Sequence, residues 1–96
     1  MVEVIVRAEA ENDLLDIYAH GIGEFGVDTA RQYMVGIGQA LVRLGDYPEI
    51  GAIFPGIRPQ VRYLAYRRHH ILYDFDGETV WVVRIIHHAR DVRRLM

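Results

Sequence analysis

Between Arg84 and Arg94 the sequence reads Arg-Ile-Ile-His-His-Ala-Arg-Asp-Val-Arg-Arg, so four arginines and two histidines crowd eleven positions. Imidazoles exchange protons near neutral pH, and guanidinium groups hold phosphates and carboxylates. Two chemistries are therefore open. One is metal-free RNA cleavage, with His87 or His88 as general acid or base and Arg62, Arg67, Arg84 and Arg90 clamping a pentacoordinate phosphate. The other is docking on an acidic partner surface. A plainer assignment also fits, in which these groups finish strand ends and contact carboxylates such as Asp91. A second pair, His69-His70, raises the question of a metal. Neighbours on a strand point to opposite faces, so neither pair can chelate alone. In the register given below His87 opposes Tyr66, four residues from His70 or about 13 Å along the strand, too far for one ion. No metal and no cofactor is expected.

Composition narrows the chemistry further. The 96 residues include no cysteine, which removes disulfides, thiolate zinc sites and thiol nucleophiles. All eleven basic residues are arginine, so histidines, perturbed carboxylates and the terminal amine are left to move protons near pH 7. The formal charge is -2, but residues 1–50 carry three Arg against nine Asp and Glu (net -6) and residues 51–96 eight Arg against four (net +4). Solvated helix faces and strand ends are one sufficient account of that asymmetry, and a functional basic face is the other. With 51% hydrophobic and 25% charged residues, one domain over residues 1–96 is expected. No apolar run approaches the roughly 20 residues of a membrane span, and no leader pattern opens the chain, so a cytoplasmic location is expected.

The elements that must position the basic run follow from hydrophobic periodicity. Residues 2–6, rich in Val and Ile, predict a short strand. From Ala8 to about Gly23, Ala10, Leu14, Ile17 and Gly21 recur at helical spacing, with Glu9, Glu11, Asp13 and Asp16 loading the early turns and Gly21, Gly23 and Gly26 ending the helix. Asp28 is a candidate N-cap for a second helix, whose Ala30, Met34, Ile37, Leu41 and Leu44 form one stripe before Gly45 and Pro48 stop it. The two predict an antiparallel helical hairpin with Tyr18 and Tyr33 in its core. Gly36 and Gly38 ask for close backbone approach. Residues 47–59 hold all three prolines and read as a linker of fixed shape that carries Ile53 and Phe54 inward.

Strands are predicted at residues 61–67, 69–75 and 79–86, the last two joined by an Asp76-Gly77 turn. Pairing Phe75 with Glu78 puts His69, Ile71, Tyr73 and Phe75 on one face with Arg84, Val82 and Val80, and His70 and Leu72 on the other with Val83 and Trp81. The fold class is thus α+β, a helical hairpin on a small antiparallel sheet in the order strand, helix, helix, three strands. One hairpin covers one face only. The other must be closed by the linker, the tail or another chain, and another chain is the favoured expectation.

The ordered fragments Arg-Ala-Glu-Ala-Glu-Asn-Asp-Leu-Leu-Asp-Ile-Tyr (7–18), Phe-Gly (25–26), Ala-Arg-Gln-Tyr (30–33), Leu-x-x-Leu-x-x-Tyr-Pro-Glu-Ile-Gly (41–51), Ile-Leu-Tyr (71–73) and Arg-Ile-Ile-His-His-Ala-Arg-Asp (84–91) resemble ParE toxins of the RelE/ParE superfamily. That resemblance spans nearly the whole chain. It implies the toxin of a type II toxin-antitoxin pair, neutralised by a cognate antitoxin, ParD-like or of another class, whose C-terminal segment wraps the toxin. ParE toxins act on DNA gyrase, trapping it on cleaved DNA, whereas RelE relatives cut mRNA on the ribosome. RelE-type nucleases often bring lysine to the sheet and a tyrosine shortly after the tail arginines. Here lysine is absent and Arg93 and Arg94 follow Val92, although Tyr63, Tyr66 and Tyr73 offer substitutes. The resemblance therefore implies a non-enzymatic gyrase inhibitor with no catalytic residues, no membrane partner and no sequence-specific nucleic-acid binding of its own. Ribosome-dependent mRNA cleavage is the alternative, and a member whose toxicity has decayed a third. Arg62, Arg67, His88, Arg90, Arg93 and Arg94 are the expected gyrase-facing residues. Arg84, mid-strand, is expected to brace the tail through a buried carboxylate pair, with Asp91 as a second support. A chain cut after His88 is expected to keep its fold and its antitoxin while losing toxicity.

Overall fold

The computed structural model describes residues 1–94, with Arg93 described by its backbone alone. In chain order it contains β1 (Glu3–Val6), α1 (Ala8–Phe25), α2 (Val27–Asp46), β2 (Ala52–Ile53), β3 (Arg62–Tyr66), β4 (His69–Phe75), β5 (Thr79–His87) and a 3-10 turn at Val92–Arg94. The α+β class and the helical hairpin agree with the sequence pattern. The sheet has five strands in the order β1-β5-β4-β3-β2, and β1 runs parallel to β5, so it is mixed rather than antiparallel. Between β1 and the other strands lies the whole helical hairpin, so no short turn dictates the direction of β1.

Helix α1 begins where Arg7, still extended, donates its N–H to Val82 O at 2.9 Å and so hands the chain from the sheet to the helix. Glu9 and Glu11 sit in the first turn, where the helix dipole favours acids. The helix runs through Gly21 and Gly23 and stops at Gly26, later than the glycines alone suggested. Packing explains the overrun. A Cβ at Gly21 would lie 3.2 Å from the Ala30 Cβ, so this glycine serves helix contact rather than termination. Helix α2 starts at Val27 behind Gly26, not at an Asp28 cap, and buries Ala30, Ile37, Ala40, Leu44 and Gly45. At Gly36 any side chain would collide with the Tyr66 ring of β3, so the expected close approach holds there. Gly38 faces open space and does not share it.

The hairpin register differs from the sequence expectation. Phe75 pairs with Val80, not Glu78, because Asp76 and Thr79 close the loop, with the Asp76 carboxylate accepting the N–H groups of Glu78 and Thr79 at 2.9 and 2.8 Å. Gly77, at φ 96, takes the positive-φ position that opens the two-residue loop Gly77-Glu78. A second offset follows from a bulge between the pairs Leu72↔Arg84 and Tyr73↔Val82, which leaves Val83 extra on β5. Beyond it Ile71 opposes Ile85 and His69 opposes His87.

Two apolar clusters result, one on each side of the sheet. Under the helices lie Ala10, Ile37, Leu44, Ile71, Tyr73, Val80, Val82 and Ile85. On the opposite side Ile57, Val61, Leu72, Ile86 and Val92 pack with Phe54, Tyr63 and Val83. The linker and the tail thus close the second face, and the expectation that another chain must do so is corrected. Phe54 turns inward as expected, whereas Ile53, on the two-residue edge strand, is 50% exposed. Val92 is buried in this cluster, so a cut after His88 would remove a core residue, which weighs against the expectation that such a cut preserves the fold.

Candidate functional site at the basic end of the sheet

Strands β3 and β4 turn tightly at Arg67-Arg68, with Tyr66 paired to His69 and Arg67 held at φ 50. The end of β5 lies alongside. His69 and His87 meet edge to face at 5.7 Å between ring centroids, His87 stacks on His88 at 4.5 Å, and His70 lies 6.5 Å from His88. In the register expected from sequence these pairs lie four residues apart; the observed turn and bulge bring them together. From α2, the Tyr33 hydroxyl reaches His69 Nδ1 at 2.7 Å, with Tyr66 O farther away at 3.4 Å.

Backbone bonds hold the tail against this end. His88 N–H donates to Arg68 O at 2.9 Å, Arg90 N–H to His87 O at 3.0 Å, and Ala89 N–H to His87 Nδ1 at 3.2 Å. Two residues on, Val92 enters the second core cluster. The tail is therefore anchored at both ends of a four-residue stretch, with His88, Arg90 and Asp91 exposed between the anchors. Arg94 is exposed and lies 3.8 Å from Asp91.

Of the residues singled out from sequence, Arg67, His88, Arg90 and Arg94 belong to this one end of the molecule. Arg67 lies over the Tyr66 ring at 5.7 Å. Arg62 does not join them. It sits at the far end of β3 and donates to Gly51 O at 2.8 Å and to Glu49 O at 3.3 Å, fastening the linker to the sheet. The Arg93 side chain, and Leu95 and Met96, lie outside the described residues. Arg84 makes a paired contact with Asp13 on α1, Nε–Oδ2 2.8 Å and NH2–Oδ1 2.9 Å, and Asp13 Oδ2 also accepts the N–H of Ile85 at 2.9 Å. The carboxylate pair expected of Arg84 is present, but it joins α1 to β5 rather than bracing the tail. Asp13 was visible in sequence only as one acid of the first helix, and nothing local marks it as the partner of a residue 71 positions away.

Burial and the neighbouring His87 and His88 rings press the pKa of His69 below its ordinary value; burial, then His88, does the same to His70. Both are neutral at pH 7. Burial raises the Tyr33 pKa, so its hydroxyl stays protonated. Among the described residues no three metal-ligating side chains converge on a common point. The tyrosines suggested as substitutes for a closing aromatic are already engaged in packing or hydrogen bonding. Tyr73 is fully buried and accepts the N–H of Gly51 at 2.9 Å, Tyr66 packs edge-on to Tyr33, and Tyr63 packs against Phe54 and His70. Sequence reasoning missed Tyr33, Arg68 and His20 as neighbours of the histidines, because their proximity arises only when the tip of the helical hairpin meets the sheet.

The helical hairpin carries a second feature. An open groove of about 470 Å³ runs between α1 and α2, lined by Leu14, Leu15, Tyr18 and Met34 and flanked by Glu11 and Arg31. Leu15 is 67% exposed there. Tyr18, expected in the hairpin core, is half-buried and lines this groove instead. No helix among the described residues is long and apolar enough to cross a membrane.

Residues 4–92 match the family model for the ParE toxin of type II toxin-antitoxin systems, parDE. Over 91 residues the chain is 36% identical to the protein named Toxin ParE1 in two strains of Mycobacterium tuberculosis, CDC 1551 / Oshkosh and ATCC 25618 / H37Rv; the match covers 94% of this chain and 93% of each relative. Its fold is similar to that of a chain in the structure of the chromosomal ParDE TA system from P. aeruginosa, with a TM-score of 0.79 at 24% identity, covering 91% of this chain and 96% of that one.

Proposed function

The chain belongs to the ParE toxin family and is the toxin of a type II toxin-antitoxin system, and from that premise we propose that it stops DNA replication by binding DNA gyrase rather than by catalysing a reaction. The observation that carries this reading is the anchored basic tail. Arg90 projects from a backbone fixed by three hydrogen bonds on one side and by buried Val92 on the other, Arg94 follows just past that buried anchor, and Arg67 lies at the β3–β4 turn. Such an array presents cations to a partner at a low ordering cost, because the backbone is already fixed. His88 stands beside it, and Arg93 belongs to the same tail. Arg62, spent on the carbonyls of Glu49 and Gly51, drops out of the docking surface. The antitoxin partner is placed in the groove between α1 and α2, where exposed Leu15 sits beside Leu14, Tyr18 and Met34, as an amphipathic helix requires. Both partners meet the toxin in the cytoplasm.

The His69–His87 pair favours a second reading, ribosome-dependent mRNA cleavage with paired imidazoles and tail arginines. One set of experiments separates the two. Purified toxin added to gyrase and plasmid DNA is expected to suppress supercoiling and accumulate cleaved DNA, and Arg90→Gln/Arg94→Gln to abolish both. Undiminished supercoiling, together with site-specific cuts in mRNA in a translation reaction, would overturn the gyrase reading.

A further inference from the structure

Between the tip of the helical hairpin and the histidine end of the sheet lies a cavity of about 380 Å³ that the docking tail does not fill. Its floor is apolar, formed by Ile17, Gly21, Phe25 and Ala30. Its sheet side carries His69, His87 and Arg68, with Tyr33 at the junction, and the α1 wall adds His20 and Glu24. This volume lies within the range that accepts a small organic molecule.

His87 Nδ1 accepts the backbone N–H of Ala89, so in the neutral ring the proton sits on Nε2. The Tyr33 hydroxyl donates to Tyr66 O at 3.4 Å and meets His69 Nδ1 at 2.7 Å, where either group can carry the shared proton; once His69 is protonated, both of its ring nitrogens bear one and Nε2–H is a donor. The Arg68 guanidinium adds donors and no acceptor, and Glu24 is the one carboxylate of the lining.

We propose that this cavity binds a small organic anion, with an apolar ring against Ile17 and Phe25 and a carboxylate or phosphate monoester received by His69 Nε2–H, His87 Nε2–H and Arg68. Binding is coupled to proton uptake. Burial and the adjacent rings hold His69 in its neutral form, and an anion beside it reverses that balance. The charged and titratable groups facing the imidazoles are His20, Glu24 and Asp13 from α1, Tyr33 from α2, Arg68 from the turn and His88 from the tail. Glu24 opposes the anion, so a proton taken up by His69 is what tips the site toward it. A folded-state pKa that rises on binding means that affinity increases as pH falls.

The test uses the whole chain, isotopically labelled, titrated with phenyl phosphate, benzoate, inorganic phosphate and phenol, and read by calorimetry and by the imidazole resonances of His69 and His87. Phenyl phosphate or benzoate is expected to saturate in the millimolar range, with both imidazoles shifting, and to bind at least about threefold more tightly near pH 5.5 than near pH 7.5. Preference between these two probes assigns the anionic group. Arg68→Gln and His87→Gln are expected to weaken binding about tenfold with backbone spectra otherwise preserved, whereas Arg43→Gln, at the far end of α2, leaves it unchanged. Equal binding of phenol would reduce the cavity to an apolar hole and overturn the proposal. So would absence of saturation by both anions, or undiminished affinity in the Arg68 and His87 variants. None of these readouts involves gyrase or mRNA, so the outcome is independent of the docking function.

Discussion

Asp13→Ala tests the joint between helix and sheet. The Asp13 carboxylate accepts three hydrogen bonds, two from Arg84 and one from the N–H of Ile85, and neither partner side chain is more than 21% exposed. Truncation leaves a guanidinium with its best acceptor gone and a backbone donor orphaned beside the β5 bulge. An orphaned donor costs about 1–2 kcal/mol, and the loss of a largely buried ion-pair partner about 3–5 kcal/mol. The residual exposure of both side chains discounts that sum of roughly 4–7 kcal/mol to about 3 kcal/mol. For a domain of this size that lowers the melting temperature by about 12–24 °C. Asp13→Asn, which still offers an oxygen to Ile85, is expected to cost roughly half as much, since it removes the charge but not the acceptor. Adding Arg84→Met to Asp13→Ala removes the stranded cation, so the double variant should be more stable than the summed single losses imply, with a coupling of about 2 kcal/mol. Urea unfolding followed by the single Trp81 reads the wild type, Asp13→Ala, Asp13→Asn, Arg84→Met and the double variant. A loss below about 1 kcal/mol for Asp13→Ala, or strict additivity in the cycle, would refute the argument that this carboxylate joins α1 to β5.

Two further outcomes follow from the tail and the histidines. Val92→Ala deletes buried volume from the second core cluster and is expected to cost about 2 kcal/mol, whereas Arg90→Gln/Arg94→Gln leaves the unfolding midpoint within error; calorimetry on both separates anchoring from docking, and equal losses would count against the buried anchor. Stability should also fall on acidification. The folded-state pKa values of His69 and His70 lie below the unfolded value, so the unfolded chain binds more protons, stability rises with pH, and what is present at pH 7 is lost as pH drops through the unfolded value of about 6.5 toward the folded ones. His69→Gln should flatten that slope in urea midpoints measured from pH 7.5 to 5.5, and an unchanged slope would remove His69 from the account.

The helices and long strands were legible because each buries a stripe at its own period: Ala10, Leu14 and Ile17 on α1, Ile37 and Leu44 on α2, Ile71 and Tyr73 on β4. Their mutual alignment was not. Asp76-Gly77 is a good hairpin dipeptide, yet Asp76 closes the loop with its carboxylate instead of occupying it, a choice fixed by the N–H groups of Glu78 and Thr79 and by the Trp81 indole N–H that also reaches Asp76 at 3.0 Å. No local signal marks Val83 as the extra residue of a bulge, since Val82, Val83, Ile85 and Ile86 are alike in propensity. Those two offsets carried His87 from Tyr66 to His69 and hid the histidine cluster. The covering of the second face was equally opaque, because Ile57, Val61 and Val92 are isolated apolar residues in segments without periodicity.

The position of Val92 bears on how such a toxin can be lost by mutation. Frameshifts and early stops near the end of a reading frame are common routes to an inactive product, and for a chain whose end is a mere appendage they leave a folded remnant that still binds its antitoxin. Here the same change removes Val92 from the second core, so the shortened chain is expected to lose stability, to be more open to proteolysis and to be a poorer sink for the antitoxin. If the tail arginines carry the docking proposed above, inactive but folded variants are expected to arise by replacement of individual arginines instead. A survey of spontaneous survivors of toxin expression should find substitutions at positions such as Arg90 among the alleles that still sequester antitoxin, and C-terminal truncations only among those that do not.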